Sequence, residues 1–418
     1  MKGHQGKNSA ERTNAAGRRT AARGCLAIVA ASCAANALAD ETFEQALRAS
    51  DFIVDMRLRY EGVEQVGFKE DAEALTSRLR AGLQTAPWHK TSFLAEGVWV
   101  GDPVDNYNST TNGQTQYPVV ADPANFTAVN RFEVINQSLD HTTLTAGRQR
   151  IVMDDQRFVG NVGWRQNEQT FDGLRAQLAE PSIKADVAYA SQVNRVFGPD
   201  SPAGRWHGDV VLANVAKTWS AGTLTVFDYY LDIDEAATQS SNTFGARLAG
   251  AKPLGKLRAT YALSYATQSD AAKNPTHYTD DYYLLEGGLE IKKVTVGVGY
   301  EVLGSNGAIG FATPLATLHA FQGWADKFLA TPAAGIDDAY VKLGYTLGMH
   351  GAFKSLSALG WWHDFTADRG SSHYGDETDL QLVAKTAKMA LTLKYADYTA
   401  DKLYTDTTKL WVSVDYAF

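Results

Sequence analysis

The stretch that decides the fold is residues 409–418, which read KLWVSVDYAF. Alternate residues form an apolar set on one face of an extended chain: Leu410, Val412, Val414, Tyr416 and Phe418. The other face carries a more polar set: Trp411, Ser413, Asp415 and Ala417. This period-2 alternation predicts a strand with one apolar face. Because proteins avoid exposed strand edges, we expect this strand to pair with the first one and close a barrel. An edge strand of a soluble β-sandwich is the alternative.

Residues 1–39 carry the pattern of a secretory signal peptide. The basic residues of this segment are Lys2, Lys7, Arg12, Arg18, Arg19 and Arg23. An uncharged, mostly apolar run follows at residues 25–35, and Ala37-Leu38-Ala39 fits a cleavage site. The run is too short to cross a membrane as a helix. We therefore predict a signal peptide at 1–39 and a mature domain at 40–418.

Composition excludes several classes of function. Both cysteines, Cys25 and Cys33, lie within the predicted signal peptide, so the mature chain has none. Disulfides, thiol nucleophiles and cysteine-ligated zinc or iron–sulfur sites are thereby excluded. The chain carries a formal net charge of −8, and removal of the basic signal peptide makes it more acidic. This charge argues against a nucleic-acid partner.

Apolar-alternating segments follow one another along the whole mature chain, without a long apolar helix or a linker. We predict about eighteen strands of roughly 9–11 residues, or about sixteen if one hairpin is miscounted. Connections after even-numbered strands are short, whereas those after odd-numbered strands include 102–130, 151–168 and 303–337. This parity is typical of outer-membrane barrels with short periplasmic turns and long extracellular loops. The sequence therefore predicts an all-β fold, a transmembrane antiparallel β-barrel with a polar lumen, in the outer membrane of a Gram-negative bacterium.

The alternation also predicts which side chains face lipid. In the first strand Met56 and Leu58 face outward, while Asp55 and Arg57 face the lumen. A charge on the lipid face near the midplane costs roughly 2–4 kcal/mol, so the charged set must be the inner one. Aromatic residues near strand ends are expected to form girdles at the two membrane interfaces, and they include Trp361 and Trp411.

Arginines concentrate on early strands and on the stretches 147–162, GRQRIVMDDQRFVGNV, and 164–176, WRQNEQTFDGLRA. The facing assignment places eight of them on one wall of the lumen: Arg57, Arg59, Arg78, Arg80, Arg131, Arg148, Arg150 and Arg175. Three acidic residues are predicted to line the pore with them: Asp55, Glu133 and Asp172. Arginine stays charged and matches carboxylates bidentately, so such a wall would make an anion-preferring constriction. The alternative is a structural ladder, in which the arginines pair with lumenal carboxylates.

The two arginine-rich stretches and residues 317–338, TLHAFQGWADKFLATPAAGIDD, resemble the alginate-export family of outer-membrane barrels. The resemblance implies a monomeric barrel of eighteen strands with an electropositive lumen that passes a polyanionic sugar polymer. Arg148, Arg150 and Arg175 match motif positions of that family. This chain is shorter and more acidic than the polymer exporter, and it shows no long turn after the sixteenth predicted strand. We therefore expect a passive channel for hydrophilic solutes, anionic or saccharide, with membrane lipid as its surroundings.

Residues 317–329 have helical spacing. Five apolar side chains can share one face of that helix: Leu318, Phe321, Trp324, Ala325 and Phe328. We predict that this helix caps the rim of the barrel. Folding inward to narrow the pore is the alternative.

Enzyme motifs are missing from the sequence, and we predict no catalytic residue, metal ion or cofactor. Ser357 and His363 are the nearest candidates for an outer-membrane hydrolase, such as a phospholipase-like barrel. A non-conducting structural barrel is a further alternative to the channel.

Overall fold

The computed structural model describes residues 42–418, and these form one closed antiparallel barrel of eighteen strands. The predicted signal peptide at 1–39 lies outside the described residues. The strands are β1 Asp51–Gln65, β2 Ala72–Gln84, β3 Thr91–Asn106, β4 Phe126–Asn136, β5 Thr142–Gln149, β6 Thr170–Ala179, β7 Ile183–Asn194, β8 Arg205–Trp219, β9 Gly222–Ile233, β10 Ser241–Leu254, β11 Leu257–Asp270, β12 Thr279–Ile291, β13 Val294–Leu303, β14 Ile336–Gly348, β15 Ser355–Thr366, β16 His373–Lys385, β17 Met389–Ala400 and β18 Thr407–Ala417.

The last strand closes the barrel onto the first. Each strand pairs with its neighbours in sequence, and β18 pairs with β1 in a register that sets Leu58 opposite Val414. Beyond the ladder, the Phe418 N–H donates to the Val54 carbonyl oxygen at 2.9 Å. The predicted closure and the count of eighteen strands are confirmed. A sandwich of two sheets is wrong, because the described strands belong to a single sheet.

Connections obey the predicted parity. Short turns follow the even-numbered strands at 85–90, 137–141, 180–182, 220–221, 255–256, 292–293, 349–354 and 386–388. Loops follow the odd-numbered strands, and we number them L1 66–71, L2 107–125, L3 150–169, L4 195–204, L5 234–240, L6 271–278, L7 304–335, L8 367–372 and L9 401–406. L2, L3 and L7 are the long ones, as the sequence predicts. All nine loops emerge from the same end of the barrel.

A short helix, α1 (Phe43–Arg48), lies against the turn end of the barrel. Thr42 caps it, with its side chain accepting a hydrogen bond from the Gln45 N–H. The Phe43 ring packs 5.5 Å from the Trp88 ring, in the first short turn. Among the described residues, no helix is long and apolar enough to cross a membrane.

The outer wall is apolar and the inner wall is polar. Met56 and Leu58 are exposed on the outside of β1, whereas Arg59 and Arg78 are buried inside the barrel. An exposed apolar belt around a closed sheet requires lipid, because the sheet satisfies its backbone polar groups internally. The facing predicted for β1 is confirmed, and with it the location of the chain as an outer-membrane β-barrel.

Two predicted girdle residues face the wrong way. Trp411 is fully buried within the barrel, on the same face of β18 as Ser413. In β15 it is Trp362 that is exposed, and Trp361 packs inside against Tyr340. The neighbouring Trp361 and Trp362 point to opposite faces, and nearness to a strand end does not say which ring faces lipid. For Trp411 the alternation of residues 409–418 is the better guide, because it sets Trp411 opposite the apolar face.

The predicted helix at 317–329 is also wrong. Only Leu318–Ala320 forms a helix, a single 3-10 turn, and the loop enters the lumen instead of capping the rim. The reason is the destination of its backbone hydrogen bonds. The Trp324 N–H donates to Asp379 at 3.2 Å and the Ala325 N–H donates to Glu377 at 2.7 Å. Buried carboxylates of β16 thus take the place of the carbonyl partners that a helix would supply.

Candidate functional site

Two long loops cross inside the lumen. L3 follows β5 and L7 follows β13, so they enter from opposite sides of the eighteen-stranded ring. Their backbones meet where the Gly160 N–H donates to the Leu315 carbonyl at 2.9 Å and the Thr317 N–H donates to the Gln156 carbonyl at 3.1 Å. The Gln169 amide also donates to the carbonyls of Gly160 and Leu315, at 2.8 and 3.0 Å. Together the two loops narrow the interior of the barrel.

Arg157 fastens this crossing to the barrel wall. Its guanidinium is almost fully buried and donates to Glu301 on β13 at 2.7 Å. It donates further to Thr313 and Gln322 of L7, each at 3.1 Å. Burial alone would lower the pKa of Arg157, but Glu301, together with Tyr282 and Asp155, outweighs burial and raises that pKa. The side chain therefore stays charged and joins L3, L7 and β13.

A second cluster holds the inner turn of L7 around Asp326. This carboxylate accepts from Arg165 of L3 at 2.7 Å, lies 2.7 Å from His319 and pairs with Lys409 of β18 at 3.2 Å. Burial alone would raise its pKa, but the three partners together hold the pKa of Asp326 well below its usual range. Burial lowers the pKa of His319, so its imidazole is neutral. It then donates from Nδ1 to Asp326 and accepts at Nε2 from Lys394 at 2.7 Å.

L2 is the third long loop that enters the lumen. Asp122 of L2 pairs with Arg59 of β1 at 3.3 Å and accepts from the Gln166 N–H of L3 at 2.8 Å. On its far side L3 reaches the opposite wall, where Asp155 pairs with Arg247 of β10 at 3.0 Å. The three long loops are therefore braced to strands around much of the ring.

The structure places seven of the eight predicted arginines inside the barrel, on β1, β2, β4 and β6 and at the first residue of L3. The exception is Arg148, which lies on β5 opposite the 61% exposed Phe132 and opposite Asp172. Arg148 and Asp172 therefore lie on the outer face near the loop end, and their predicted place in the lumen is wrong. Each has a carboxylate partner: Arg57 with Asp415, Arg59 with Asp122, Arg78 with Asp55, Arg80 with Glu168, Arg131 with Glu96 and Glu133, Arg148 with Asp172, Arg150 with Glu168 and Glu96, and Arg175 with Asp186. The predicted acidic residues Asp55, Glu133 and Asp172 are all among these partners. Such pairing is the arrangement that the structural-ladder alternative requires.

Exposure distinguishes two levels of this wall. At the level of L3 the cations face the open lumen, because the Arg150 side chain is 30% exposed over Glu168 at 0%. Toward the short turns the order reverses, with Asp55 35% exposed beside Arg78 at 2%. The same guanidinium–carboxylate chemistry thus presents a positive surface beside L3 and a negative one near the turns.

Glu168, at the end of L3, anchors the positive level. It lies 2.6 Å from Arg150 and 3.6 Å from Arg80, and it accepts from Asn130 at 2.6 Å. Burial alone would raise its pKa, but Arg80 and Arg150 outweigh burial and lower the pKa of Glu168 to about 2. The sequence pattern predicts no role for Glu168. Its position within the arginine-rich stretch 164–176 was the available signal.

The opposite wall carries both charges beside aromatic rings. Glu286 of β12 accepts from Lys342 at 2.9 Å and from the Tyr340 hydroxyl at 2.7 Å. The Lys342 ammonium lies 4.1 Å from the centroid of the Trp361 ring. A cavity of about 190 Å³ separates this wall from L7. The lumen is therefore electrically two-sided.

The positions of Ser357 and His363 do not support the hydrolase alternative. Ser357 and His363 lie on the same strand, β15, six positions and hence roughly 20 Å apart. His363 is fully buried and bonds Asp338 at 2.8 Å. Within residues 42–418 no group of three or more His, Cys, Asp or Glu side chains is arranged to hold a metal ion.

No protein-family model matches the sequence, and no curated protein matches it. Among solved structures it is similar to Pseudomonas aeruginosa OccK3 (OpdO), with 13% identity and a TM-score of 0.69 over 90% of this chain and 97% of that chain. It is also similar to the outer membrane protein OpdK from Pseudomonas aeruginosa, with 15% identity and a TM-score of 0.64 over 88% and 99%. OpdK with vanillate gives 13% identity and a TM-score of 0.65 over 88% and 98%.

At these identities the likeness establishes the fold. The finer resemblance to alginate-export barrels receives no support from the comparisons. The chain is an outer-membrane barrel with the fold of these proteins.

Proposed function

We propose that the barrel is a passive channel for small hydrophilic solutes and that it prefers anions at the level of L3. The observation that carries this proposal is the asymmetric exposure of the Arg150 and Glu168 pair, in which the cation faces the lumen and the carboxylate lies behind it. Arg131 repeats the pattern with Glu96, at 15% and 1% exposure. A passing solute meets the guanidiniums first.

Selectivity follows from the local field and not from the net charge of the chain. Charges on exposed loops are screened within roughly 8–10 Å at physiological ionic strength. Charges that line a narrow, low-dielectric passage are screened less, and the walls focus their field. The place where L3 and L7 narrow the lumen is also the place where Arg150 is exposed, so this level should dominate selectivity.

Small solutes fit the interior better than a polymer does. L2, L3 and L7 are fastened across the lumen, and a long sugar polymer would have to displace them. The binding of vanillate, a small organic anion, by the similar barrel OpdK supports the same solute size. A small saccharide is the second candidate, since the opposite wall sets Trp361 and Tyr340 beside the Lys342 and Glu286 pair. Following the family resemblance, we propose that the barrel functions as a monomer.

The test is the reversal potential of the purified barrel in a planar bilayer under a salt gradient. We expect anion preference in the wild type, reduced in Arg150→Gln by up to roughly tenfold in permeability ratio. Arg258→Gln is the matched control, because it removes an exposed guanidinium paired with Glu290 at the turn end of the barrel. It should leave the ratio unchanged.

Cation preference in the wild type would refute the proposal and favour the structural ladder. A barrel without conductance would instead support the non-conducting alternative.

A further inference from the structure

The barrel wall has a gap at its loop end, where β5 is shorter than the strands beside it. β5 pairs with β4 only over residues 132–136 of β4, and the chain then turns into the lumen as L3. Residues 126–131 of β4 have a strand partner on the β3 side alone. A cavity of about 280 Å³ lies in this gap, between β4 on one side and β7, β8 and L4 on the other. We call it the wall cavity.

The wall cavity spans the thickness of the sheet. Four consecutive residues of β4, 127–130, line it. Successive side chains of a strand point to opposite faces, so the lining includes both the outer face and the lumen face of β4. The cavity is therefore accessible from the membrane side as well as from the lumen.

Two carboxylates border the wall cavity, and each is already neutralised. Asp172, on the outer face, accepts two hydrogen bonds from Arg148, each at 2.7 Å. Glu168, on the lumen side, pairs with Arg150 at 2.6 Å and with Arg80 at 3.6 Å. An anion that enters the cavity therefore meets no unpaired negative charge at its border.

Two further arginines line the wall cavity, and neither has a carboxylate partner among residues 42–418. Arg205, the first residue of β8, is exposed on the outer face, which it shares with the exposed Val211. Arg195, in L4, lies with its guanidinium 3.7 Å from the centroid of the Trp206 ring. The cavity thus has a surplus of two positive charges, and one of them lies on the outer face.

The rest of the outer face is acidic near the loop end. Exposed tyrosines there donate from their hydroxyls to carboxylates, in the pairs Tyr189 with Asp209, Tyr265 with Asp281 and Tyr300 with Asp337. In the strands that the structure describes, Arg148 and Arg205 are the lysine or arginine side chains on the loop half of the outer face. The positive surface is therefore confined to the wall cavity.

Apolar side chains of the lipid-facing belt begin beside the wall cavity. Val129, in its lining, is exposed, and so are Phe132, opposite Arg148, and Leu174 of β6. A ligand that fits both surfaces carries a compact anionic group and apolar chains. Such a ligand is an anionic lipid of the leaflet at the loop end, which the pattern of short turns and long loops places outside.

We propose that the wall cavity binds a phosphate group of an anionic outer-leaflet lipid. The phosphate pairs with the N–H groups of Arg205, with Arg148 and Arg195 as the neighbouring cations, and the acyl chains pack on Phe132 and Leu174. A guanidinium stays charged and binds phosphate oxygens bidentately. A phosphate monoester carries close to two negative charges and three acceptor oxygens, which matches two surplus cations better than a carboxylate does.

The test is lipid binding to the detergent-purified barrel, measured by native mass spectrometry during titration. The first probe is diphosphorylated lipid A, and the second is the same glycolipid without its phosphates. We expect the phosphorylated lipid to bind roughly tenfold more tightly or better, because the cations near the headgroup attract its phosphates. Inorganic phosphate, added in excess, should not displace it, since free phosphate lacks the acyl chains.

Variants locate the site. Arg205→Gln should weaken binding of the phosphorylated lipid roughly fivefold without disturbing an ion pair, and the double variant Arg148→Gln, Arg205→Gln should weaken it further. The matched control is Lys217→Gln, which removes a cation from the same face of the same strand at the turn end of the barrel. It should change binding less than twofold. Unchanged heat-modifiability on electrophoresis would show that each variant retains its barrel.

Equal binding of the phosphorylated and the dephosphorylated lipid would overturn the proposal, because acyl chains alone would then hold the lipid. Displacement by inorganic phosphate would overturn it in favour of a site for the free ion. Full affinity in the double variant would place any lipid site elsewhere on the barrel. These measurements do not involve conduction, so cation preference in the reversal-potential experiment would refute the proposed function alone.

Discussion

Replacing Arg157 with methionine tests whether the crossing of L3 and L7 is held by one buried ion pair. The substitution keeps the apolar stem and removes the three hydrogen bonds to Glu301, Thr313 and Gln322. Removing one partner of a buried pair costs about 3–5 kcal/mol, because the other charge stays buried. The Tyr282 hydroxyl still donates to Glu301 at 2.6 Å, which places the expected cost toward the lower end.

The substitution destabilises the contact between L3 and L7 and leaves the pairing of the strands unchanged. Since 1.4 kcal/mol is a factor of about ten, the population in which L3 and L7 separate should rise by roughly 10²–10³. Hydrogen exchange measures this separation at the amides of Gly160 and Thr317, which donate hydrogen bonds from one loop to the other. Protection there should fall by the same factor, while the ladder amides of β1 and β18 keep theirs. Single-channel conductance should increase.

The controls separate charge from packing. Glu301→Gln in the Arg157→Met background removes the stranded charge and should restore much of the protection. Arg258→Met breaks an exposed pair with Glu290 and should leave both loops unaffected. If Gly160 and Thr317 exchange in Arg157→Met as slowly as in the wild type, the pair does not hold the crossing.

Three further outcomes are expected. The pKa of Glu168 is lowered to about 2, so its contribution to stability is complete above its ordinary value of 4.5 and is lost as pH falls from there toward 2. The free energy of unfolding, measured with urea, should fall by up to about 3 kcal/mol between pH 7 and pH 2 because of Glu168. Glu168→Gln should lack this part of the pH dependence. Gly323 has φ +78°, and a β-carbon there would collide with Glu377. Gly323→Ala should therefore strain L7 and raise the rate of amide exchange in this loop. An unchanged exchange rate would show that the substitution causes no strain. Epitopes inserted at Gly113 and Gly307, both in open space, should be reachable on whole cells, and reachability only after permeabilisation would invert the topology.

The wall of the barrel could be predicted because its physics is local. The alternation in residues 409–418 fixes which face of β18 meets lipid, and it is repeated in β1. Once every strand has one apolar face, closure is the arrangement that leaves no exposed edge. The alternation of short and long connections then distinguishes the turn end of the barrel from the loop end.

The interior could not be predicted, because its contacts join loops that have no periodicity. The spacing of Leu318 and Phe321 indicates a helix, yet Glu377 and Asp379, on a distant strand, capture the backbone N–H groups that would build it. Which carboxylate lies behind Arg150 depends on the path of L3 and not on strand alternation.

The crossing of L3 and L7 has a consequence for the order of assembly. The hydrogen bonds of Arg157 join residues 144 to 165 positions apart, and they come from opposite sides of the ring. Such contacts form only after the intervening strands have paired, because closing so large a loop is costly until the hairpins have shortened it. Each molecule therefore passes through a wide-bore barrel before its loops cross. We expect a newly inserted barrel to be more permeable until L3 and L7 have crossed, so the rate at which the buried ion pairs form sets how long that state lasts.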